Sequence, residues 1–348
     1  MSSYLRVDGS MGEGGGQVLR TSLSLAAVRA QPLEIDGIRA GRKRPGLLRQ
    51  HRTAARAVAE ICEAELEGAE LGSRRLRLRP GRPRAGEYHF AVGSAGSVCL
   101  VLQTVLPILL HADGPSELLL EGGTHNPAAP TFEYLDRVFF PILRRMGVGI
   151  RAELDRAGFY PAGGGKVRVH IEPATQLLPL ALLERGSLRR VEARAIFSKI
   201  PSHVATRELD RLRERLAGAC LGEAEVDLRP HQLRSPGPGN VVSILLEADV
   251  PELVTSFGRR GLAAEAVAEE ALAQALRHLD SDAPVGEHLA DQLLLPLALG
   301  AGGAFRTGPL SRHARTSIEL LRQLLPERRI EVSPLERGVL RVEIGEAD

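Results

Sequence analysis

His313 is the residue of this chain best suited by type and position to take part in a reaction. It stands between Arg312 and Arg315 just before an apolar helical pattern. A side chain at the start of a helix lies near free backbone N–H groups and the positive end of the helix dipole. Both favour a bound phosphate. A neutral imidazole is also a nucleophile. His313 is therefore a candidate nucleophile in a phosphate site, and a polar residue beside a helix start is the simpler alternative.

A glycine-rich run near the N-terminus is the second candidate. Residues 9–17 read Gly-Ser-Met-Gly-Glu-Gly-Gly-Gly-Gln, which is not a Walker A loop and fails the dinucleotide fingerprint because Gln17 replaces its third glycine. Glycines still let backbone amides approach a ligand closely. Glu13 is the one carboxylate of the run, so it is a candidate metal ligand or general acid or base. An ordinary turn residue is the alternative.

Cations concentrate in the segment that follows the second predicted strand. A cluster of this kind can hold phosphates, although a solvated charged face is the commoner meaning of a charge run. The total charge of only +2 does not by itself imply a nucleic-acid partner. The members of this cluster are Arg39, Arg42, Lys43, Arg44, Arg49, His51 and Arg52.

The composition is that of an ordinary globular protein, with 43% hydrophobic and 25% charged residues in 348, a length that suggests two domains. No apolar stretch is long enough for a membrane span, and the N-terminus lacks the apolar core of a signal peptide. Cys62, Cys99 and Cys220 are far apart and fit neither a disulfide framework nor a zinc site. We therefore expect a cytoplasmic protein without a membrane partner.

The elements that would position these residues occur in three copies of one order: helix, strand, loop, helix, strand, strand. The first helix of each copy carries a glutamine, namely Gln17, Gln103 and Gln292, and His313 opens the second helix of the third copy. Repeated units should present equivalent loops to a shared centre. The stretch from about 183 to 275 breaks this spacing and reads as an inserted α/β unit.

The sequence therefore predicts an α/β (α+β) fold in three segments. Residues 1–182 hold the first two units, 183–275 the small inserted domain, and 276–348 the third unit. In the second unit we expect one continuous helix over 131–146. His125 is expected to be a polar surface residue, and the three glycines before the strand at 165 are expected to mark a tight backbone crossing.

Several segments together resemble the RNA 3′-terminal phosphate cyclases, in the order of that family and across almost the whole chain. The resemblance implies a large domain of three repeated units, each of two helices on a four-stranded sheet, with a smaller α/β domain inserted before the last. The matching segments are Asp8-Gly-Ser-Met-Gly-Glu-Gly-Gly-Gly-Gln-Val-Leu-Arg20, Gly37-Ile-Arg-Ala-Gly-Arg42, Ala95-Gly-Ser-Val-Cys-Leu100, Gly122-Gly-Thr124, Gly158-Phe-Tyr-Pro-Ala-Gly-Gly-Gly165, Gly258-Arg-Arg-Gly261, Asp291-Gln292, and Arg306-Thr-Gly-Pro309 with His313.

The resemblance also implies an activity. Such enzymes use ATP and a divalent metal, Mg²⁺ or Mn²⁺, to convert an RNA 3′-phosphate into a 2′,3′-cyclic phosphodiester with release of AMP and diphosphate. His313 matches the family's nucleophile, which forms a covalent histidine–AMP before the AMP passes to the RNA end. The implied partner is therefore an RNA 3′-phosphate end, and a homodimer is left open.

Further roles carry over by resemblance only where residues match. Glu13 is similar to the metal ligand. The cations implied around phosphate oxygens are Arg20, Arg39 and Arg42, beside Gln50 and His51 at the RNA end. The positions implied for the nucleotide pocket are Gln103, Pro130, Asp291, Gln292 and Phe257, the last as a stacking partner of adenine.

Two other functions compete with this interpretation. One branch of proteins that resemble the cyclases acts in ribosome assembly and lacks the catalytic histidine, whereas His313 and Glu13 are present here. Enolpyruvyl-transfer enzymes share repeated units of this shape and bind phosphate through arginines. A histidine between arginines and a need for ATP would not be expected there.

Overall fold

The computed structural model describes residues 4–174, 176–219 and 221–347. Its first unit contains six elements, and the four strands among them form one sheet of order β1-β2-β4-β3. These elements are β1 (Leu5–Asp8), α1 (Gly16–Val28), β2 (Leu33–Asp36), α2 (Arg49–Ile61), β3 (Glu65–Glu67) and β4 (Leu76–Arg79).

The second unit repeats this order, and its sheet has the equivalent arrangement β5-β6-β8-β7. In both sheets the first two strands are parallel and the last strand of the unit lies antiparallel beside the second. The elements of this unit are β5 (Glu87–Ala91), α3 (Val98–Leu109), β6 (Ser116–Gly122), α4 (Phe132–Tyr134), α5 (Phe140–Arg145), β7 (Ile150–Arg156) and β8 (Gly165–Ile171).

The third unit is interrupted by the insert after its first strand. Its sheet has the order β9-β14-β16-β15, and β9 pairs in parallel with β14. The elements outside the insert are β9 (Leu180–Leu182), α8 (Glu287–Leu299), β14 (Gly303–Thr307), α9 (Arg312–Leu324), β15 (Arg328–Pro334) and β16 (Leu340–Glu346).

The sheets correct the sequence-based description of the repeat in two respects. Each unit begins with a strand, and the sequence missed this strand in the second and third units, where β5 and β9 are short. Residues 180–182, which the sequence placed with the first two units, belong to the sheet of the third. A strand of three residues has too little alternation to be distinguished from a loop. The division into separate domains stays a prediction.

The inserted unit has its own sheet, of order β11-β10-β12-β13, covered by two helices. The sequence predicted both helices and three of the strands but missed β13, which lies antiparallel to β12. The elements are β10 (Arg190–Ser198), α6 (Ser202–Leu216), β11 (Glu225–Gln232), β12 (Gly239–Glu247), β13 (Glu252–Phe257) and α7 (Ala264–Asp280).

The helix expected over 131–146 is present, with a π-helical segment in its middle. Thr131 caps a single α-helical turn, a π-helical segment follows over Leu135–Phe139, and α5 completes the run. Pro141 sits in the first turn of α5, where it lacks a backbone N–H to donate. The wider π turn accommodates this loss without ending the helix.

The apolar faces of the three units merge into one large core, while the insert buries a separate one. A third, small cluster joins the two bodies and contains Ala157 and Phe159 of the second unit with Ile196 and Val241 of the insert. Arg137 of the π-helical segment adds ion pairs to two glutamates of the insert. The insert is therefore docked on the second unit by both apolar and charged contacts.

His125 is completely buried, which corrects the expectation of a surface residue. Its Nε2 donates to Glu133 at 3.0 Å, because a carboxylate only accepts hydrogen bonds. Its Nδ1 lies 2.8 Å from the Thr124 hydroxyl, which also accepts from the Gly158 amide. The imidazole also packs on the Phe159 ring, with centroids 4.7 Å apart.

The expected tight crossing at 158–165 is present. A β-carbon added to Gly158 would lie 2.3 Å from the carbonyl oxygen of Gly122, and one added to Gly163 would lie 2.7 Å from Cα of Ala95. None of the helices in the described ranges has the length and apolar character needed to cross a membrane.

The pairing of β9 with β14 depends on a glycine. Gly303 has a φ of 147°, and a β-carbon there would lie 2.0 Å from the Leu180 carbonyl oxygen. We expect Gly303→Ala to lose about 2 kcal/mol through backbone strain and lost pairing, and to lower the unfolding temperature by about 5 °C. Calorimetry would measure this shift.

Gly345→Ala is the matched control, since Gly345 lies in β16 of the same sheet with no atom within 4 Å of an added β-carbon. Equal unfolding temperatures for the two variants would contradict the steric account.

Candidate active site

His313 lies in the first turn of α9, where the sequence placed it. Ser311 caps the helix by accepting a hydrogen bond from the Ala314 amide at 3.0 Å. Burial of Ile318 and Leu321 packs the apolar face of α9 into the large core and fixes the helix axis. The side chain of His313 remains 45% exposed, so it is both positioned and accessible.

A hydrogen-bond network of residues from the first and third units holds one side of the imidazole. Gln17 of α1 uses its Nε2 to donate to Asp291 of α8 at 2.5 Å and to the Ser317 hydroxyl at 2.5 Å. Ser317 in turn donates to the same carboxylate oxygen at 3.2 Å. The Gln17 carbonyl oxygen must then face Nδ1 of His313, with which it forms a short hydrogen bond.

This network decides which nitrogen of His313 is free. A carboxylate only accepts hydrogen bonds. If the oxygen and nitrogen of the Gln17 amide were exchanged, the Gln17 oxygen would face the Asp291 oxygen with no hydrogen between them, so this orientation is excluded. Nδ1 therefore carries a hydrogen and donates to Gln17. The nitrogen available for chemistry is Nε2. Burial raises the pKa of Asp291, and the bonds from Gln17, the nearby His313 and the bond from Ser317 oppose that rise.

Glu13 sits on the other side of the ring. Its Oε2 is 2.9 Å from Nε2 of His313, and its carboxylate also forms a close ion pair with Arg42. The Glu13 amide donates to Thr316 in α9 at 3.3 Å. With only 12% of its side chain exposed, Glu13 joins the glycine-rich loop of the first unit to the nucleophile candidate of the third.

The loop can lie this close to α9 because its glycines have no β-carbon. Gly12 has a φ of 59°, and a β-carbon there would lie 2.0 Å from the Thr316 hydroxyl oxygen. A β-carbon on Gly16 would lie 2.3 Å from Nε2 of His51 and 3.0 Å from Nη1 of Arg20. The glycines therefore allow the loop to pack closely against α9 and against the His51 and Arg20 side chains, as the sequence indicated.

Arg20 and His51 meet beside this loop. Burial lowers the pKa of Arg20 to about 10, against the opposing effect of Asp291 and Glu13, so its guanidinium remains charged at neutral pH. Burial, with Arg20, Arg39 and Arg42 nearby, lowers the pKa of His51 to about 3. His51 is therefore neutral, its Nδ1 accepts from the Leu48 amide at 3.3 Å, and its Nε2 is a hydrogen-bond donor.

Two residues with predicted phosphate or RNA roles already have structural partners. Arg39, with a φ of 56°, donates from Nη1 to the carbonyl oxygens of Arg44 at 2.6 Å and Gly46 at 2.7 Å, so it shapes the basic loop. Gln50 accepts from the Ser97 amide at 2.9 Å and joins α2 to the start of α3. Their predicted contacts with the substrate stay predictions.

A cleft opens beside the network. Helices from all three units line it, and two of these helices, α3 and α8, present the same sequence. Gln-x-x-Leu-Pro-x-x-Leu occurs at 103–110 in and just after α3 and at 292–299 in α8. All four defined positions of both copies line the cleft, and so do Arg20, Thr21, Ser24 and Asp291.

The structure thus brings together most of the residues that the sequence proposed for a nucleotide pocket. Gln103, Asp291 and Gln292 line the cleft, and the buried Oε1 of Gln292 has no hydrogen-bond partner in the described chain, which leaves an acceptor for a ligand. Pro130 and Phe257 are not among the described residues that line it. Phe257 instead packs on the small cluster between the insert and the second unit, so its predicted stacking on adenine is not supported.

The sequence missed the partners that orient His313. Gln17 was noticed as a departure from a glycine fingerprint and as a member of the glutamine series, but its contact with a histidine 296 residues away has no local signature. Ser317 lies four residues after His313, one helical turn away, and this spacing was the available signal. The repeated Gln-x-x-Leu-Pro-x-x-Leu segment was a second signal that was overlooked.

The residues around Glu13 suit a cation that is held partly by the substrate better than one that is held entirely by protein side chains. The described residues contain no group of three or more His, Cys, Asp or Glu side chains that could hold a metal. Mg²⁺ commonly binds through one or two carboxylates and completes its shell with water and substrate phosphates. The single carboxylate of Glu13, beside cations that would bind phosphates, fits that mode.

Comparisons with known proteins agree over almost the whole chain. The sequence profile of a family described as RNA 3′-terminal phosphate cyclase matches residues 11–330. A protein of that name from Salmonella agona (strain SL483) is 48% identical over 327 residues, covering 94% of this chain and 93% of the relative. Another, from Koribacter versatilis (strain Ellin345), is 50% identical over 322 residues, covering 92% and 89%.

Among solved structures, the enolpyruvyl transferase NikO from Streptomyces tendae aligns with 98% of this chain and 48% of its own, at 13% identity and a TM-score of 0.37. A likeness at this level supports no conclusion about function.

The buried neutral His51 should make stability depend on pH. Because its folded pKa, about 3, is below the ordinary value of 6.5, the unfolded chain binds a proton first as the pH falls, and stability is lost between about pH 6.5 and 3. We expect His51→Gln to lose less stability than the wild type over this interval. Thermal unfolding across the pH range measures the difference, with the exposed His203→Gln as control. A difference that does not change with pH would contradict the assignment.

Proposed function

The chain belongs to the RNA 3′-terminal phosphate cyclase family, and we propose that it forms its cyclic product through a covalent AMP on His313. It is an enzyme of the ligase type whose family membership implies ATP and an RNA end as substrates. The observation that carries the proposal is the placement of His313, with Nδ1 held by Gln17 and Nε2 lying 2.9 Å from the Glu13 carboxylate beside the cleft.

The reaction follows from what an RNA 3′-phosphate lacks. A phosphate monoester has no good leaving group, so the neighbouring 2′-hydroxyl cannot displace one. We propose that Nε2 attacks the α-phosphorus of ATP, which forms a P–N bond and breaks the bond to the β-phosphate, releasing diphosphate. An oxygen of the RNA phosphate then takes the AMP and frees the histidine. The 2′-hydroxyl finally attacks the RNA phosphorus, loses its proton and expels AMP.

Glu13 and Gln17 prepare the imidazole from opposite sides. Gln17 accepts the Nδ1 hydrogen and so keeps the other nitrogen directed to the reaction. Glu13, 2.9 Å from Nε2, can accept the proton that Nε2 must give up before it attacks. Asp291 acts through Gln17, since its carboxylate fixes the orientation of that amide. This is the arrangement of an activated nucleophile with a third orienting group.

Charge neutralisation is the second requirement of phosphoryl chemistry. Arg20 remains charged at the edge of the cleft, and Arg42 lies beside Glu13. A divalent cation held by Glu13 and the substrate phosphates would add positive charge and orient the chain of phosphates. His51, as a neutral donor, suits an RNA phosphate or hydroxyl oxygen.

The cleft suits the adenosine part of ATP. Its apolar walls suit a flat aromatic base. The polar exceptions are Gln103, His111, Asp291, Gln292, Ser317 and the polar residues of α1. The unpartnered carbonyl oxygen of Gln292 is positioned as an acceptor for a base amino group. In this proposal the third unit supplies the nucleophile, and all three units contribute to the nucleotide pocket.

The rival functions are disfavoured by the same residues. A ribosome-assembly factor has no use for a histidine oriented by Gln17 and paired with Glu13, and the close relatives carry the name of the enzyme. The cytoplasmic location, the choice between Mg²⁺ and Mn²⁺ and the homodimer stay predictions.

The covalent intermediate can be seen by mass. We expect the wild-type protein to gain the mass of one AMP after incubation with ATP and MgCl₂ or MnCl₂, because His313 captures the α-phosphate. His313→Ala should gain nothing. Intact-mass spectrometry measures both, and an AMP adduct on His313→Ala, or none on the wild type, would sink the nucleophile assignment.

The role of Gln17 can be separated from simple packing. Gln17→Met keeps the length of the side chain but cannot accept the Nδ1 hydrogen, so we expect adenylylation to slow by about 10- to 100-fold, the cost of losing one or two orienting bonds. ATP affinity should change little. Rapid-quench kinetics with labelled ATP gives the rate, and Gln323→Met on the exposed side of α9 is the control. Wild-type rates in Gln17→Met would remove Gln17 from the mechanism.

A further inference from the structure

Three loops beside the candidate site contain no aspartate or glutamate. They are residues 91–97, 158–164 and 234–239, rich in glycine, proline, serine and alanine, and we call them together the acid-free surface. Acidic residues are common elsewhere, with 43 in the chain. A surface without them does not repel a polyanion.

The loops form one continuous surface across the two bodies of the molecule. Loop 158–164 touches loop 91–97, since a β-carbon on Gly163 would lie 2.7 Å from Cα of Ala95. On its other side it touches the insert, where a β-carbon on Gly164 would lie 2.8 Å from Cγ of Pro236. The surface therefore runs from the second unit onto the insert.

One end of the acid-free surface reaches the candidate site. Gln50 accepts a hydrogen bond from Ser97 at 2.9 Å, and Arg49 donates to the Gly93 carbonyl oxygen at 2.5 Å. The next residue, His51, packs against Gly16 of the glycine-rich loop. The surface thus begins where the RNA end is proposed to bind.

Cations border this surface without neutralising partners. Arg49, Arg156 and Lys199 each donate to a backbone carbonyl oxygen of one of the three loops: Gly93, Gly164 at 2.7 Å and Pro236 at 2.6 Å. Among the described residues, none of the three has a carboxylate within ion-pair distance, unlike Arg194 or Arg211 of the insert. Their positive charge remains available to phosphates.

A single aromatic ring stands out from the surface. Tyr160 is 64% exposed, although Phe159 before it and Gly163 after it are buried. The backbone on both sides is tied down by hydrogen bonds from the Tyr160 and Gly163 amides to His125 and Phe159. An exposed ring on a fixed loop is a platform on which a base can stack, independent of sequence.

We propose that the RNA strand leading to the 3′-phosphate lies on the acid-free surface and stacks one base on Tyr160. This inference rests on the proposed function, because it places RNA 5′ of the end that reacts. Backbone phosphates follow Arg49, Arg156 and Lys199, and the small residues let the strand approach. The insert then contributes to RNA binding without contacting ATP.

The test compares two substrates, a 3′-phosphorylated dinucleotide and a 3′-phosphorylated single-stranded RNA of about ten nucleotides. We expect Tyr160→Ala to raise KM for the long RNA about tenfold, the effect of losing one base–aromatic stack, with kcat unchanged. KM for the dinucleotide should not change. Tyr160→Phe should behave as the wild type, because stacking needs the ring and not the hydroxyl.

Leu335→Ala is the matched control, since Leu335 is exposed on the corresponding connection between the last two strands of the third unit. AMP capture from ATP alone should be normal in every variant, and its absence from the wild type would instead contradict the proposed function. Equal KM values for the long RNA in Tyr160→Ala and the wild type, or an equal rise for both substrates, would overturn the RNA path.

Discussion

The structure depends on one close packing, between the glycine-rich loop of the first unit and helix α9 of the third. Gly12 fits against Thr316 only because it lacks a β-carbon, and the Glu13 amide bonds to the same hydroxyl. This contact places Glu13 and Gln17 on the two sides of one imidazole. The tautomer of His313, its accessibility and its relation to the cleft all follow from a contact between backbone and helix that any larger residue would prevent.

The repeat explains how such a site can be assembled from distant parts of a chain. Equivalent helices of the second and third units bring the same glutamine, leucines and proline to the cleft, and α1 adds Thr21 and Ser24 from the first. Two walls of the pocket, α3 and α8, therefore carry nearly the same side chains. The two walls differ at single positions: Asp291 precedes the glutamine in α8, and Leu102 precedes it in α3.

The sequence was most informative where residue type alone restricts the chemistry. His313 between arginines and Glu13 among glycines identified the two groups that meet at 2.9 Å, and the periodic segments identified the repeat. It was least informative for short strands such as β9, whose place depends on a partner more than a hundred residues later, and for His125, which is buried against Phe159 and Glu133. The resemblance suggested Arg39 and Gln50 as site residues, but only the structure showed that both side chains are hydrogen-bonded to backbone groups.

The nucleophile and the groups that orient it lie at opposite ends of the chain, with Gln17 and His313 separated by 296 residues and Glu13 and Thr316 by 303. A ribosome releases the N-terminal loop long before it has made α9. A chain that lacks α9 therefore contains Gln17 and Glu13 without the imidazole that they contact. The arrangement around His313 is complete only when the two ends of the chain have come together.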